Sequence, residues 1–212
     1  MASTTKKQRI FIWTITIVMT FGTILSFLVM IVASQNSVDE NKAMREKYAK
    51  YQKAVDDYQN KSNAQAKDLS SKYYESMKVY STYPAKFDKS GVTKLETKDL
   101  VVGNGEEINS TTKYSAYYIG WNPDGVVFDQ SIDSATNELK IPIQGGNLIS
   151  GWNEGVIGMK IGGVRELTIP ADKAYGDKSP TELIPANTPL KFIVMVIPTP
   201  EAIEQPNPKD YI

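Results

Sequence analysis

The chain has 212 residues and carries 24 Lys and Arg against 24 Asp and Glu, so its formal net charge at pH 7 is zero. It contains no Cys and no His. Disulfide scaffolds, thiol nucleophiles, zinc knuckles and the Ser-His-Asp triad are therefore excluded. The balanced charge gives no indication of a nucleic-acid partner.

The first distinct segment is apolar. Residues 10–33 contain no charged side chain, and as a helix they would span about 36 Å, which exceeds a hydrocarbon core of roughly 30 Å. We therefore predict a transmembrane helix over 10–33, with a signal peptide cleaved near Ala33 as the alternative. The flank at 1–9 carries Lys6, Lys7 and Arg9 and no acid. This charge pattern predicts a single-pass membrane protein with a cytoplasmic N-terminus and an extracytoplasmic C-terminal domain.

Residues 38–83 contain neither Gly nor Pro and predict a charged helical stalk. Apolar side chains recur there at helical spacing: Met44, Tyr48, Tyr51, Val55 and Tyr58, and then Leu69, Tyr73, Met77 and Tyr80. Three interpretations remain open, namely a solvated spacer helix, a Tyr-lined coiled coil that forms a dimer, and a stripe that packs on the following domain. We expect a monomer, with the stalk dimer as the alternative.

The sequence after the stalk predicts a polar linker at 84–91 and then a β-rich domain over residues 92–198. A Pro-rich tail follows at 199–212. The strand candidates lie between turn signals, at 100–102, 114–120, 126–129, 139–143, 166–169 and 190–197. One stretch, 148–159, has apolar residues at helical spacing instead. The pattern favours the α+β class, with a curved antiparallel sheet wrapped over one short helix.

Several short motifs follow one another in this region. They are Tyr118-Ile119-Gly120, Asp124-Gly125-x-x-Phe128-Asp129, Leu148-Ile149-x-Gly151-Trp152, Ala174-Tyr175-Gly176 and Ile184-Pro185, followed by Leu190 and Phe192. In order and spacing, the stretch from Lys94 to Ile197 resembles the FKBP-type peptidyl-prolyl isomerases, the macrolide-binding immunophilin family. The resemblance covers about half of the chain and leaves out the predicted membrane helix and stalk.

The resemblance implies an FKBP-like fold and isomerisation of Xaa-Pro bonds in extracytoplasmic proteins. Rotation about such a bond crosses a barrier of about 18–20 kcal/mol. A dry apolar pocket with a few hydrogen bonds lowers this barrier by removing water from the imide and favouring its twisted form. The chemistry needs no nucleophile, metal or cofactor, so it suits a chain without His and Cys. Pro-containing polypeptides are the implied substrates, and macrolides are the implied inhibitors.

The resemblance also implies roles for individual residues. Trp152 is expected as the pocket floor, and Tyr175, Asp129 and the Ile149 N–H are expected as polar groups beside the substrate. The catalytic set is Asp129, Tyr175, Trp152 and Phe128, and the substrate-binding walls are Tyr118, Leu139, Leu148, Ile149, Ile184 and Phe192. Leu139 stands where many relatives carry a second wall Phe, which predicts an altered preference for residues around Pro.

Two other functions remain open at this point. The domain could be a binding module that captures Pro-containing partners without turnover. It could also be a surface tether, in which the stalk pairs and the domain serves as a cap.

Overall fold

The structure, a computed structural model, describes residues 38–211. The predicted basic flank at 1–9 and the predicted transmembrane helix at 10–33 lie outside these residues. Between residues 38 and 211, no helix is both long enough and apolar enough to cross a bilayer. The described chain forms two compact units, one of residues 38–61 with 203–211 and one of residues 62–202.

The predicted stalk is a long helix, α1, at Val38–Lys78. Its residues include no Gly or Pro, the two residues that most disfavour a helix interior. It is followed by a turn in which Tyr80 N donates to Met77 O over 3.1 Å. Pro84 then disfavours helical backbone at the residue before it. Helix α1 contributes residues to both units.

In the first unit, aromatic residues of α1 contact the end of the chain. Tyr51 is buried, and its ring centroid lies 5.6 Å from that of Tyr211. Tyr48 accepts a hydrogen bond of 2.9 Å from Gln52 Nε2. A 3₁₀ turn at Pro208–Asp210 precedes Tyr211. Part of the tyrosine stripe is therefore covered by the tail of the same chain.

The second unit is built on an antiparallel sheet. Its strands are β1 (Glu96–Val101), β2 (Tyr114–Trp121), β3 (Val127–Gln130), β6 (Ile143–Gln144), β7 (Val164–Ile169) and β8 (Leu190–Pro198), and a separate hairpin pairs β4 (Ile132–Asp133) with β5 (Glu138–Leu139). The sheet order is β1-β7-β8-β2-β3, and β6 pairs with β2 as well. One short helix, α2 (Ser150–Gly155), packs on the sheet. The predicted α+β fold, an antiparallel sheet with one short helix, is confirmed.

Alternate residues of the strands face opposite sides of the sheet, as the geometry of an extended chain requires. One side forms what we call the front cluster, in which α2 is buried. Its buried residues are Ile108, Tyr114, Ala116, Trp152, Val156, Met159, Leu167, Ile169, Ile184, Leu190, Phe192, Val194 and Val196.

The other side forms the back cluster, and the second half of α1 packs on it. Its buried residues are Met77, Tyr117, Ile119, Trp121, Ile132, Leu139, Val164, Ile193, Met195 and Ile197, and Leu69, Tyr73, Tyr74 and Tyr80 are among those packed against them. The interpretation in which the apolar stripe packs on the following domain is therefore confirmed for Leu69, Tyr73, Met77 and Tyr80. Residues 62–78 cover the sheet and do not act there as a solvated spacer.

The stretch 139–143, predicted as one strand, is two short strands in different sheets. Leu139 ends β5, and Ile143 begins β6. Pro142 lies between them and has no N–H to donate to a ladder, which interrupts the pairing. The Leu139 N–H donates instead to Ser70 Oγ on α1 over 2.8 Å.

Candidate active site

Helix α2 carries Trp152 into the front cluster. The N–H groups of Trp152 and Asn153 both donate to Ile149 O, over 3.0 and 3.2 Å, which starts the helix at this point. Arg165 fixes the other end, because its Nη1 donates to Gly155 O over 2.8 Å. Trp152 is only 2% exposed. The indole is therefore held from both ends of its short helix.

Three further aromatic rings surround this indole. The ring centroids of Tyr118 and Phe192 lie 5.6 and 5.3 Å from that of Trp152, at interplanar angles of 87° and 78°. Phe128 meets Phe192 in the same edge-to-face manner, at 5.5 Å and 81°. Such geometry directs the positive edge of one ring to the negative face of another. The four rings form an apolar surface on which a flat, apolar ring can rest.

Gly120 gives two of these rings the space they occupy. A Cβ atom at this residue would lie 2.7 Å from both Phe128 Cζ and Phe192 Cε1. Contacts this short do not occur between carbon atoms, so any larger residue would displace the rings. The predicted Tyr118-Ile119-Gly120 motif therefore has a direct steric reason.

A polar edge adjoins the rings at Asp129. The Tyr118 hydroxyl donates to Asp129 Oδ2, and Gln130 N donates to Asp129 Oδ1 over 2.8 Å. Lys140 Nζ lies 3.9 Å from the same Oδ1. Burial, followed by the hydrogen bond to Asp129 and its charge, raises the pKa of the Tyr118 hydroxyl. The phenol thus stays protonated and can keep donating.

The remaining predicted residues lie around this centre. Tyr175 is 38% exposed, and after burial and Asp129 it also contributes to the raised pKa of the Tyr118 hydroxyl. Ile184 is buried in the front cluster, and Leu148 and Ile149 pack against it while partly exposed. Nine of the ten predicted site residues therefore lie in or beside the front cluster.

Leu139 is the exception, and its expected place in the pocket wall is wrong. It is 5% exposed and lies in the back cluster. The β4–β5 hairpin carries it there, and Ser70 holds its N–H. Ile143, the first residue of β6, packs against the front cluster instead.

Tyr114 also belongs to this site, although it was not among the residues predicted for it. Its hydroxyl accepts a hydrogen bond of 3.3 Å from Trp152 Nε1, which is otherwise buried among apolar atoms. The signal was present, because Tyr114, Ala116 and Tyr118 alternate along β2 and therefore share the front face. Only the contact with Trp152, 38 residues away, could not be read from that alternation.

Residues 104–197 match the family described as FKBP-type peptidyl-prolyl cis-trans isomerase. An FK506-binding protein of Neisseria meningitidis is 38% identical over 103 residues, which are 49% of this chain and 94% of that protein. A probable FK506-binding protein of Corynebacterium glutamicum is 38% identical over 104 residues, 49% of this chain and 85% of that protein. FK506-binding protein 4 of Dictyostelium discoideum is 42% identical over 103 residues, 49% of this chain but only 28% of that protein.

Proposed function

The chain belongs to the FKBP-type peptidyl-prolyl cis-trans isomerase family, and from this premise we propose that its front cluster isomerises Xaa-Pro bonds of polypeptides. The observation that carries the proposal is the group of three aromatic rings, joined by edge-to-face contacts, around the buried Trp152. A prolyl ring is small enough and apolar enough to rest on such a surface. The polar groups beside it then lie next to the imide bond.

The reaction requires only that the twisted imide be bound better than the planar one. Resonance in the planar imide is strengthened by water and lost on twisting, so an apolar surface favours the twisted form. Lowering the barrier by about 5–8 kcal/mol accelerates exchange roughly 10⁴- to 10⁶-fold. These effects need no titrating His or nucleophilic Cys, and the chain has neither.

We assign the residues the roles that the family implies. Trp152 is the floor, and the walls are Tyr118, Phe128, Leu148, Ile149, Ile184 and Phe192. The Tyr175 hydroxyl donates to one substrate carbonyl, and the Ile149 N–H donates to another. Asp129 holds the Tyr118 hydroxyl and orients the polar groups beside the imide.

Exchange spectroscopy on a short Xaa-Pro peptide tests the proposal with the full chain in detergent. The chain should speed an exchange that takes tens to hundreds of seconds without catalysis. Trp152→Phe should lower kcat/KM about 10- to 100-fold, because the prolyl ring loses its aligned floor. Trp121→Phe is the matched control, since Trp121 is equally buried but lies in the back cluster.

Equal losses in the two tryptophan variants would contradict the assignment of the site. Peptide binding without any acceleration would favour the Pro-peptide binding module over the enzyme. FK506, which the relatives' names identify as their ligand, should compete with the peptide for the unmodified chain and compete less well for Trp152→Phe.

We also propose that residues 10–33 anchor the chain in a membrane, with the isomerase domain on the extracytoplasmic side. The support is the uncharged run of the sequence and the basic flank before it. In a bacterial host, the chain should sediment with membranes, and external protease should digest the domain. Deletion of residues 10–33 should move it to the soluble fraction. An unchanged distribution after the deletion would contradict the anchor.

A further inference from the structure

The loop at 177–183 leads directly to Ile184, a buried member of the front cluster. All seven loop residues are exposed. The loop is closed by its own hydrogen bonds: Ile184 N donates to Thr181 O over 3.0 Å, and Ser179 Oγ donates to Ile184 O over 3.2 Å. A segment with so little buried surface is opened easily unless hydrogen bonds hold it to the rest of the domain.

Asn122 makes such a bond from the turn that follows β2. It is 6% exposed, and its Nδ2 donates to Leu183 O over 2.9 Å. Its Oδ1 accepts from Asp124 N over 3.1 Å and from Val126 N over 3.0 Å. One end of the amide therefore fixes the turn, and the other end holds the loop.

The turn itself is firmly held. Phe87 N, in the linker after α1, donates to Pro123 O over 3.0 Å. Gly125 has a φ of +78°, and a Cβ there would lie 2.9 Å from Lys86 N. The turn thus packs against the linker backbone, so Asn122 donates from a fixed point.

We propose that Asn122 is a positioning residue for the isomerisation: its Nδ2 holds the loop at 177–183 and so keeps Ile184 in place as a pocket wall. The inference rests on the proposed function. Without this bond the loop keeps its internal turn but moves as a unit, and Ile184 contacts the substrate less often. The effect falls on substrate binding, because Asn122 itself does not touch the imide.

The substitution Asn122→Asp, made in the full chain, removes the donor of the side-chain amide and keeps its acceptor. The introduced carboxylate still accepts from the turn N–H groups but cannot donate to Leu183 O. We expect KM for the Xaa-Pro peptide to rise about 2- to 10-fold with little change in kcat, which corresponds to one net hydrogen bond. Amide hydrogen exchange over 177–184, measured by mass spectrometry, should become faster.

Asn109→Asp is the matched control. Asn109 Oδ1 accepts from Thr111 N over 2.9 Å and from Thr112 N over 3.2 Å, the same pattern in an exposed turn. This variant carries the same added charge and should leave both readouts unchanged.

In Asn122→Asp, lowering the pH protonates the introduced carboxyl, which can donate again, and KM should return towards the unmodified value.

Faster exchange with unchanged KM would overturn the proposal, because the bond would then serve the fold alone. Unchanged exchange in Asn122→Asp would overturn it as well. If the unmodified chain itself fails to accelerate peptide exchange, the proposed function falls, whereas the hydrogen-exchange comparison still decides whether Asn122 holds the loop.

Discussion

Tyr114 and Tyr117 are both buried on β2, but their hydroxyls have opposite surroundings. Tyr114 faces the front cluster and accepts the indole N–H of Trp152. Tyr117 faces the back cluster, is fully buried, and its hydroxyl has no hydrogen-bond partner within the described chain. A bonded buried hydroxyl stabilises a fold, whereas an unbonded one costs the free energy of removing it from water. The two hydroxyl groups therefore contribute to stability with opposite signs.

Tyr117→Phe should raise the free energy of unfolding by about 1 kcal/mol, because it removes an unpaired hydroxyl and keeps the ring. Tyr114→Phe should lower it by about 1 kcal/mol, because it leaves the Trp152 N–H unpaired. Urea denaturation of the full chain, followed by tryptophan fluorescence, measures both changes. Destabilisation by Tyr117→Phe would show that its hydroxyl is in fact paired, for example with a buried water.

The same residue predicts a pH dependence. Burial, and then the neighbouring Tyr73, raises the pKa of the Tyr117 hydroxyl above its usual value of 10.0. Below that value the folded and unfolded states are both protonated, so this group adds no slope. Above it the unfolded state loses its proton first, and stability falls by up to about 1.4 kcal/mol per pH unit until the folded pKa is reached. Tyr117→Phe should make this alkaline decline less steep, and an equal decline would contradict the assignment.

At the scale of elements, the second half of α1 and the β4–β5 hairpin form one side of the sheet domain together. Ser70 is buried on α1, and its Oγ accepts the hydrogen bond from Leu139 N. Each strand of the hairpin has only two residues, and this bond fixes its second strand to α1. Asp129 precedes this hairpin in the chain and Lys140 follows it. The hairpin therefore connects α1 with the polar edge of the site.

Ser70→Ala should lower the free energy of unfolding by about 1–3 kcal/mol, because the buried Leu139 N–H is left without a partner. Ser71→Ala is the neighbouring control. Ser71 is exposed and its Oγ donates only to Asp68 O of its own helix, so a change within about 0.5 kcal/mol is expected. Thermal unfolding of the unmodified chain, Ser70→Ala and Ser71→Ala measures the two changes in stability. Equal effects of the two substitutions would show that the Ser70 bond is dispensable.

The predictable part of the fold is the part set by local pattern. Alternation along β2 and β8 separates the front cluster from the back cluster, and the motif containing Trp152 lies on a short helix as expected. The stripe of Leu69, Tyr73 and Met77 indicated an apolar helix face, and packing on the following domain was one of the three interpretations that it left open. Its partner could not be read from the pattern, because a helical period shows that a face is apolar but not what covers it.

Leu139 shows where local pattern fails. Leu139 was expected in the pocket wall because it stands where many relatives carry a second wall Phe, and the alternation over 139–143 predicted one continuous strand. Pro142 breaks the ladder, and Ser70, 69 residues earlier in the chain, fixes Leu139 on the back of the sheet. A contact over that separation depends on the whole fold. The predicted residues that do lie in or beside the front cluster belong to motifs that carry their own geometry, such as Phe128, whose ring lies over Gly120.

At the scale of the whole molecule, the isomerase domain extends towards the N-terminus beyond its family match. The match begins at residue 104, whereas the compact unit begins at residue 62. Residues 62–91 include Met77, which is fully buried, and Tyr80 and Phe87, which pack against the back cluster. The segment that precedes the match is therefore part of the hydrophobic core of the unit.

A chain that begins at residue 92 should fold poorly, whereas one that begins at residue 62 should fold and keep its activity. Each buried apolar side chain contributes about 1.5–3 kcal/mol, and the total stability of a domain is about 5–15 kcal/mol. Met77 is fully buried and Leu69, Tyr73 and Tyr80 are partly buried against the back cluster, so their loss removes a large part of this stability. It also exposes Tyr117, Ile119, Ile193 and Met195 to water. Circular dichroism on heating and binding of a hydrophobic dye compare the two chains directly. The chain from residue 92 should melt at a lower temperature, or without a cooperative transition, and should bind the dye. Equal melting temperatures and equal dye binding would mean that α1 rests on the sheet without stabilising it.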